Sequence, residues 1–199
     1  MMSFITILGA IVSFICGSFY LFDTIQGKVQ PNRVTWLLWT ISPMISTFAS
    51  LSAGADWKPI VPVFMAGFMP LLVLIASFIN KSSYWSLSYL DYICGILSVL
   101  SLIVWYLSKD PNLAIVFSIF SDLMAAIPTF VKIWRSPESE ASIYYIGGIF
   151  TDVSSLITAT RWTIASVSFS IYLILLDISL LILIYYRKNH NSVSKQINI

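Results

Sequence analysis

Three acidic residues stand where water is scarcest: Asp122 in "SIFSDLMAA", Asp152 in "GGIFTDVSS" and Asp177 in "LILLDISLL", each near the middle of a long apolar run. A charge at the centre of a bilayer costs about 3 kcal/mol or more on insertion scales, so an acid kept there is a candidate for binding a proton, a cation or a polar solute. A carboxyl away from water takes up or releases a proton according to the groups around it, which is the property a proton-coupled carrier needs. Residues three or four apart share a helix face. Ser118 and Ala125 therefore flank Asp122, and Gly148 and Ser155 flank Asp152, on small, hydroxylated stripes of the kind that meet another helix or a cavity. Ser118 and Ser155 join the carboxylates as candidate site residues. Asp177 is flanked by Ile174 and Leu181 and fits structural hydrogen bonding as well as it fits binding.

Composition dictates the elements that must position these groups. Of 199 residues, 58% are hydrophobic and 10% charged, with a mean hydropathy of +0.86, where a soluble domain carries about 25% charged residues. A bilayer core takes about 20 mostly apolar residues per helix. The polar punctuation divides the chain into seven such spans, at 4 to 22, 34 to 53, 58 to 79, 88 to 107, 112 to 133, 142 to 162 and 166 to 186. The expected fold class is all-α, a polytopic membrane protein. The first span lacks a basic leader and is longer than a signal-peptide core, which makes it a retained helix. With seven spans, Lys28, Arg33, Lys81, Lys132, Arg135, Arg187, Lys188 and Lys195 fall on one side, and Lys58, Lys109 and Arg161 on the other. The positive-inside rule then puts the N-terminus outside and the C-terminus in the cytoplasm, across a plasma (inner) membrane.

Several activities are excluded by what the spans lack. The single histidine, His190, lies in the polar tail, so neither a His-based triad nor a His metal cluster forms among the helices. No Gly-rich phosphate loop occurs, and the seventh span has no mid-span lysine. The reading is therefore no enzyme, no cofactor, no metal and no nucleic acid; the expected partners are the lipid bilayer and a small-molecule solute. Cys16 and Cys94 lie inside spans and are expected only to pack.

Internal similarity organises the spans. "PTFVKIWRSPESEASIYY", residues 128 to 145, lies without a gap on "YLFDTIQGKVQPNRVTWL", residues 20 to 37, at a shift of 108, with Phe130 on Phe22, Ile133 on Ile25 and Tyr144 on Trp36. Each segment joins the first and second span of a three-helix group. The chain thus divides into a first repeat (1–80), a linker helix (81–108), a second repeat (109–187) and a cytoplasmic polar tail (188–199). A single linker span forces the repeats to be parallel. The same shift places Asp122, Asp152 and Asp177 on Phe14, Met44 and Met69, so one half carries acids at the depth where the other is apolar.

In the later segment Pro128, Lys132, Trp134, Arg135 and Ser136 give a helix-terminal proline, a base, an aromatic, a second base and a Ser-containing acidic turn. This pattern, with the seven-span plan, resembles the PQ-loop superfamily, which includes the SWEET sugar transporters and their half-sized bacterial relatives. The glutamine after the family proline is Thr129 here, and the pair in the earlier copy is Tyr20 and Leu21. The resemblance implies transport by alternating access around a midplane site, hinge prolines at Pro43 and Pro128, and a homo-oligomer. "WLLWTISP" also begins like the Trp-x-x-Trp motif of the PnuC vitamin transporters, although Trp36 and Trp39 equally suit an interfacial aromatic belt.

The remaining marked residues have simpler expectations. Arg161 snorkels to the outer interface or closes an outer gate, Lys132 and Arg135 touch lipid phosphates, and Asp23 and Asp91 cap helix ends. Gly9, Ser13 and Gly17 form a packing seam, and Pro59, Pro62 and Pro70 make the third span bendable. Together these readings give a membrane transporter of a small polar solute, coupled to protons or cations through Asp122, Asp152 and Asp177. The alternative is a non-transporting receptor or assembly subunit that holds a ligand in the same bundle.

Overall fold

The computed structural model describes residues 2–79 and 85–197; Lys81 and the expected boundary at 80/81 lie outside the described residues. The helices are α1 (Met2–Gln26), α2 (Arg33–Ser52), α3 (Trp57–Ala76), α4 (Tyr89–Ser108), α5 (Pro111–Arg135), α6 (Ser142–Thr158) and α7 (Ile164–Ile197), with a 3₁₀ turn, Pro137–Ser139, before α6. Six of them, all but α6, are long and apolar enough to cross a membrane, as an integral membrane protein requires.

Polar caps set most of the boundaries. Asn32 Oδ1 accepts from the backbone N–H of Val34 at 3.0 Å and of Thr35 at 3.2 Å, opening α2. Asp56 and Asp110 do the same for α3 and α5. The Ser88 hydroxyl donates to Asp91 Oδ2 at 2.6 Å, and Asn32 Nδ2 donates to Asp91 Oδ1. The expected capping role of Asp91 holds, and that cap also ties the start of α4 to the start of α2. Two ends of the chain differ from expectation. Helix α6 stops at Thr158, which leaves Arg161 exposed in the connection to α7, and α7 continues through the polar tail to Ile197.

Packing in a membrane relies on close approach and hydroxyl groups, because lipid is as apolar as the helices themselves. Thr151 Oγ1 donates to the Gly9 carbonyl at 3.1 Å between α6 and α1. Thr35 Oγ1 donates to the Ala125 carbonyl at 2.7 Å between α2 and α5, and Ser98 to the Ser121 carbonyl at 2.8 Å between α4 and α5. The expected seam on α1 is real: a Cβ at Gly9 would run into Ser154, one at Gly17 into Met69, and Cys16 packs on Gly147. The outer face of α1 presents Phe4, Ile11, Phe14, Phe19 and Phe22, and α4 presents Ile96, Val99, Leu100 and Ile103, the surfaces that acyl chains would cover. Pro43, Pro62, Pro70 and Pro128 all sit inside helices that continue past them.

The bases collect at one end. Arg33 donates to the Ser77 carbonyl at 2.6 Å, Arg187 to the Trp134 carbonyl at 2.9 Å, and Lys188 pairs with Glu138 at 3.5 Å. Successive helices therefore run in opposite directions between this base-rich end and the far end that holds Asp56, Lys58, Lys109 and Arg161.

Prediction: Gly9→Ile pushes a branched side chain into Ser154 and should destabilise the fold by ~1–3 kcal/mol, the usual range for overpacking. Phe19→Leu on the outer face should leave stability nearly unchanged. Thermal denaturation in detergent micelles would compare them, and equal effects would mean that the α1–α6 seam is not tight.

Candidate functional site

Between the helices lies a cavity of ≈ 40 Å³, room for a few waters and too small for a sugar in this conformation. Helices α5, α6 and α7 contribute Asp122, Asp152 and Asp177 to its wall. The three carboxylates picked from the sequence thus border one interior space, 1%, 2% and 7% exposed respectively. Ser13 of α1, Trp39 and Pro43 of α2, and Pro62 and Ala66 of α3 complete the opposite side, with Tyr144, Thr151, Leu173 and Leu176. The first three helices do not reach the cavity through Phe14, Met44 and Met69, as the gapless shift required. Phe14 is half exposed on the outer face and Met69 packs on Gly17. One residue of slip turns a helical side chain by about 100°; Ser13 and Pro43, next to the expected positions on α1 and α2, line the space instead, while α3 lines it with Pro62 and Ala66.

The carboxylates differ in how they are held. Tyr172 of α7 donates to Asp122 Oδ2 at 2.8 Å, while Asp122 Oδ1 and Asp152 Oδ1 are buried with no hydrogen-bond donor among the described residues. Asp177 lies against Gly148, where a Cβ would overlap its Oδ2; glycine there is what admits the carboxyl between α6 and α7. The indole N–H of Trp39 likewise has no acceptor among the described residues. Pro43 and Pro70 withhold the N–H groups that the carbonyls of Trp39 and Ala66 would ordinarily accept. The wall is therefore rich in acceptors. Compared with known proteins, the chain matches no family model, no curated protein and no solved structure.

Other expected site residues lie off the cavity. Ser118 is fully buried on α5 beside Asp122. The Ser155 hydroxyl donates to the Pro59 carbonyl at 2.6 Å and accepts from Ser170 at 2.9 Å; it stitches α6 to α3 and α7 toward the far end. Both share a face with a carboxyl, but helix packing covers them. Pro43 reaches the cavity, whereas Pro128 borders a separate pocket at the base-rich end with Trp85, Asp91 and Lys132. Arg161 lines a surface pocket with Asp56 and Pro59, away from the carboxylates.

The base-rich side of the cavity is closed by a cluster that sequence reasoning missed. Lys132, expected at lipid phosphates, is completely buried; it forms an ion pair with Glu140 and donates to the Gln30 carbonyl at 2.7 Å. Glu140 Oε2 accepts from Tyr20 at 2.9 Å and from Tyr145 at 3.0 Å. A buried ion is tolerable only when paired and fully hydrogen-bonded, and this one is. Above the pair, Tyr20 meets Trp36 at 4.7 Å between ring centroids, Trp36 meets Tyr144 at 5.1 Å and Trp39 at 5.6 Å. The belt reading of Trp36 and Trp39 is corrected, since they are 0% and 5% exposed. Their position at a helix start is interfacial by sequence, but the connections at 27–32 and 136–141 fold over them, joined by a Gln30 N–H to Ser139 carbonyl bond of 3.1 Å.

Prediction: Lys132→Met strands the Glu140 carboxylate in the interior and should destabilise the protein by ~3–5 kcal/mol, the range for removing one member of a buried pair. Adding Glu140→Gln removes the stranded charge and should restore more than half of that loss. Denaturation of the two variants side by side decides it; a double variant as unstable as the single one would deny the pair its structural role.

Proposed function

We propose that the protein is a membrane transporter of a small polar solute, working by alternating access around the carboxylate cavity. The observation that carries this reading is the common cavity of Asp122, Asp152 and Asp177, interior to helices that are apolar outside. Acids retained at the centre of apolar helices mark solute or ion pathways.

The helix pairing supports a repeat organisation of the SWEET-like kind. Helix α1 packs broadly on α6 and α2 on α5; α2 pairs with α3 and α6 with α7; α1 meets α3 and α5 meets α7. Exchanging α1 for α5, α2 for α6 and α3 for α7 maps this set of contacts onto itself, as parallel repeats about an axis along the membrane normal would. Helix α4 stands outside this exchange, packed on α5 and α2, in the place of a linker. On this reading α6 is also a span, the sixth of seven. Its 17 residues cover roughly 25 Å, and it crosses enclosed by α1, α3 and α7. The positive-inside rule then makes the base-rich end cytoplasmic.

Alternating access needs a closure on each side of the site. Toward the cytoplasm stand the aromatic cluster and the Lys132–Glu140 pair; toward the outside stand neutral bonds from Ser155 and Ser170. Each carboxyl must be balanced by a proton or another cation, which ties the site to proton- or cation-coupled movement. A receptor that never transports would use the same pocket with access from one side only.

Prediction: with Cys16 and Cys94 replaced by alanine, a reporter at Ala66→Cys should react with membrane-impermeant maleimide from both faces of sealed vesicles. Asp122→Asn or Asp152→Asn should remove the dependence of that labelling on pH. Labelling confined to one face would favour the receptor reading, and wild-type pH behaviour in both variants would reject the coupling role.

A further inference from the structure

The chemistry of the cavity wall goes further than a polar solute of unspecified charge. None of its lining residues is Lys, Arg or His, while three are aspartates. The ion pairs among the described residues lie elsewhere: Lys28 with Asp23, Lys58 with Asp56, Lys132 with Glu140 and Lys188 with Glu138. Among the described residues, no cation at the cavity wall balances the carboxylates. An anion would meet unrelieved repulsion, and a neutral polyol would bring hydroxyls without charge to a wall whose open positions are mostly acceptors.

Metal chelation is a poor alternative, because among the described residues no group of three acidic, His or Cys side chains converges closely enough to hold a metal ion. The carboxylates surround a space rather than a point. Two further features of the wall lie outside the acids. The Trp39 side chain borders the same space, is 5% exposed, and carries an N–H with no acceptor among the described residues. Trp39 and Ala66, whose carbonyls lose their usual helical N–H to Pro43 and Pro70, are residues of the same wall.

Resting on the reading of this cavity as the solute site, we propose that the solute is a small organic cation with N–H donors, a primary ammonium, amidinium or guanidinium on a short apolar body. Asp122 Oδ1 and Asp152 Oδ1 receive its N–H groups, and Asp177 contributes charge from α7. The indole of Trp39 and the ring of Tyr144 supply faces that attract a cation within about 6 Å. Leu173, Leu176 and Pro62 accept the apolar body. Charge and N–H geometry are both specified, so a quaternary ammonium of equal size satisfies only half of the site.

Titration calorimetry on the purified protein, at constant ionic strength, tests this with four probes: propylammonium, propylguanidinium, propyltrimethylammonium and glucose. The first two should bind saturably, at least tenfold more tightly than the last two. Asp122→Asn and Asp177→Asn should each weaken them at least tenfold, and Asp110→Asn, at an exposed helix cap, should not. Should a cavity variant fail to fold, protection of Ala66→Cys from maleimide by propylammonium gives the same reading in an otherwise native wall. No saturable binding of the N–H cations, tighter binding of glucose, equal binding of the trimethyl probe, or indifference to both Asn substitutions would each overturn the proposal. Two-faced labelling without cation binding would overturn this inference and leave transport standing; cation binding with one-faced labelling would do the reverse.

Discussion

Glu140 is a carboxylate taken out of water and held by a lysine and two tyrosines drawn from α5, α1 and α6. Much of the molecule follows from that arrangement. The lysine also holds the connection at 27–32 through the Gln30 carbonyl, so the two polar connections that interrupt the apolar sequence are fastened to each other. Tyr20 and Tyr145 are thereby fixed, and with them the rings of Trp36, Trp39 and Tyr144 that separate the cavity from the base-rich end. Toward the far end the contacts beside the cavity are hydroxyl bonds of Ser155 and Ser170, each worth about 1 kcal/mol net.

The same scarcity of water shapes the helix interfaces. Serine and threonine hydroxyls meet carbonyls of neighbouring helices, as between Thr35 and Ala125 or Ser155 and Pro59, although the buried hydroxyls of Ser46, Thr47 and Ser118 have no partner among the described residues. The carboxylates are a further departure. Asp122 has one oxygen satisfied by Tyr172 and one left without a donor, and Asp152 also keeps a buried oxygen open. Both open carboxylate oxygens belong to residues that border the cavity, where there is space to fill.

Spans were legible because hydropathy and caps are local: the starts of α2, α4 and α5 fall within a residue of their expected places, each beside Asn32, Ser88 or Asp110. The candidate carboxylates were legible because an acid in an apolar run is conspicuous by itself. Lys132 was misread since its partner is eight residues on, across a turn, and nothing in the pattern tells a buried lysine from an interfacial one. Trp36 and Trp39 were ambiguous for a related reason; sequence places them at a helix start but not under the connections that cover them. The end of α6 was set too late, because "ATRWT" holds no glycine or proline to mark a stop, while the backbone has already left the helix at Ala159.

The cavity wall has acids on α5, α6 and α7 and an indole and prolines on α2 and α3, so its two groups of helices are chemically unlike. A ligand that satisfies only the acids would be held by one group of helices and would leave the other free to move. One that also engages Trp39 and the carbonyls beside the prolines would join the two groups, and its binding energy would favour whichever arrangement brings the walls together. A ligand shifts a conformational equilibrium only by its differential affinity for the two states. For such a ligand that difference would reside in the contacts made to α2 and α3, because the carboxylates alone could be balanced by protons in either arrangement. Specificity and movement would then depend on the same few atoms, those of the wall that carries no charge.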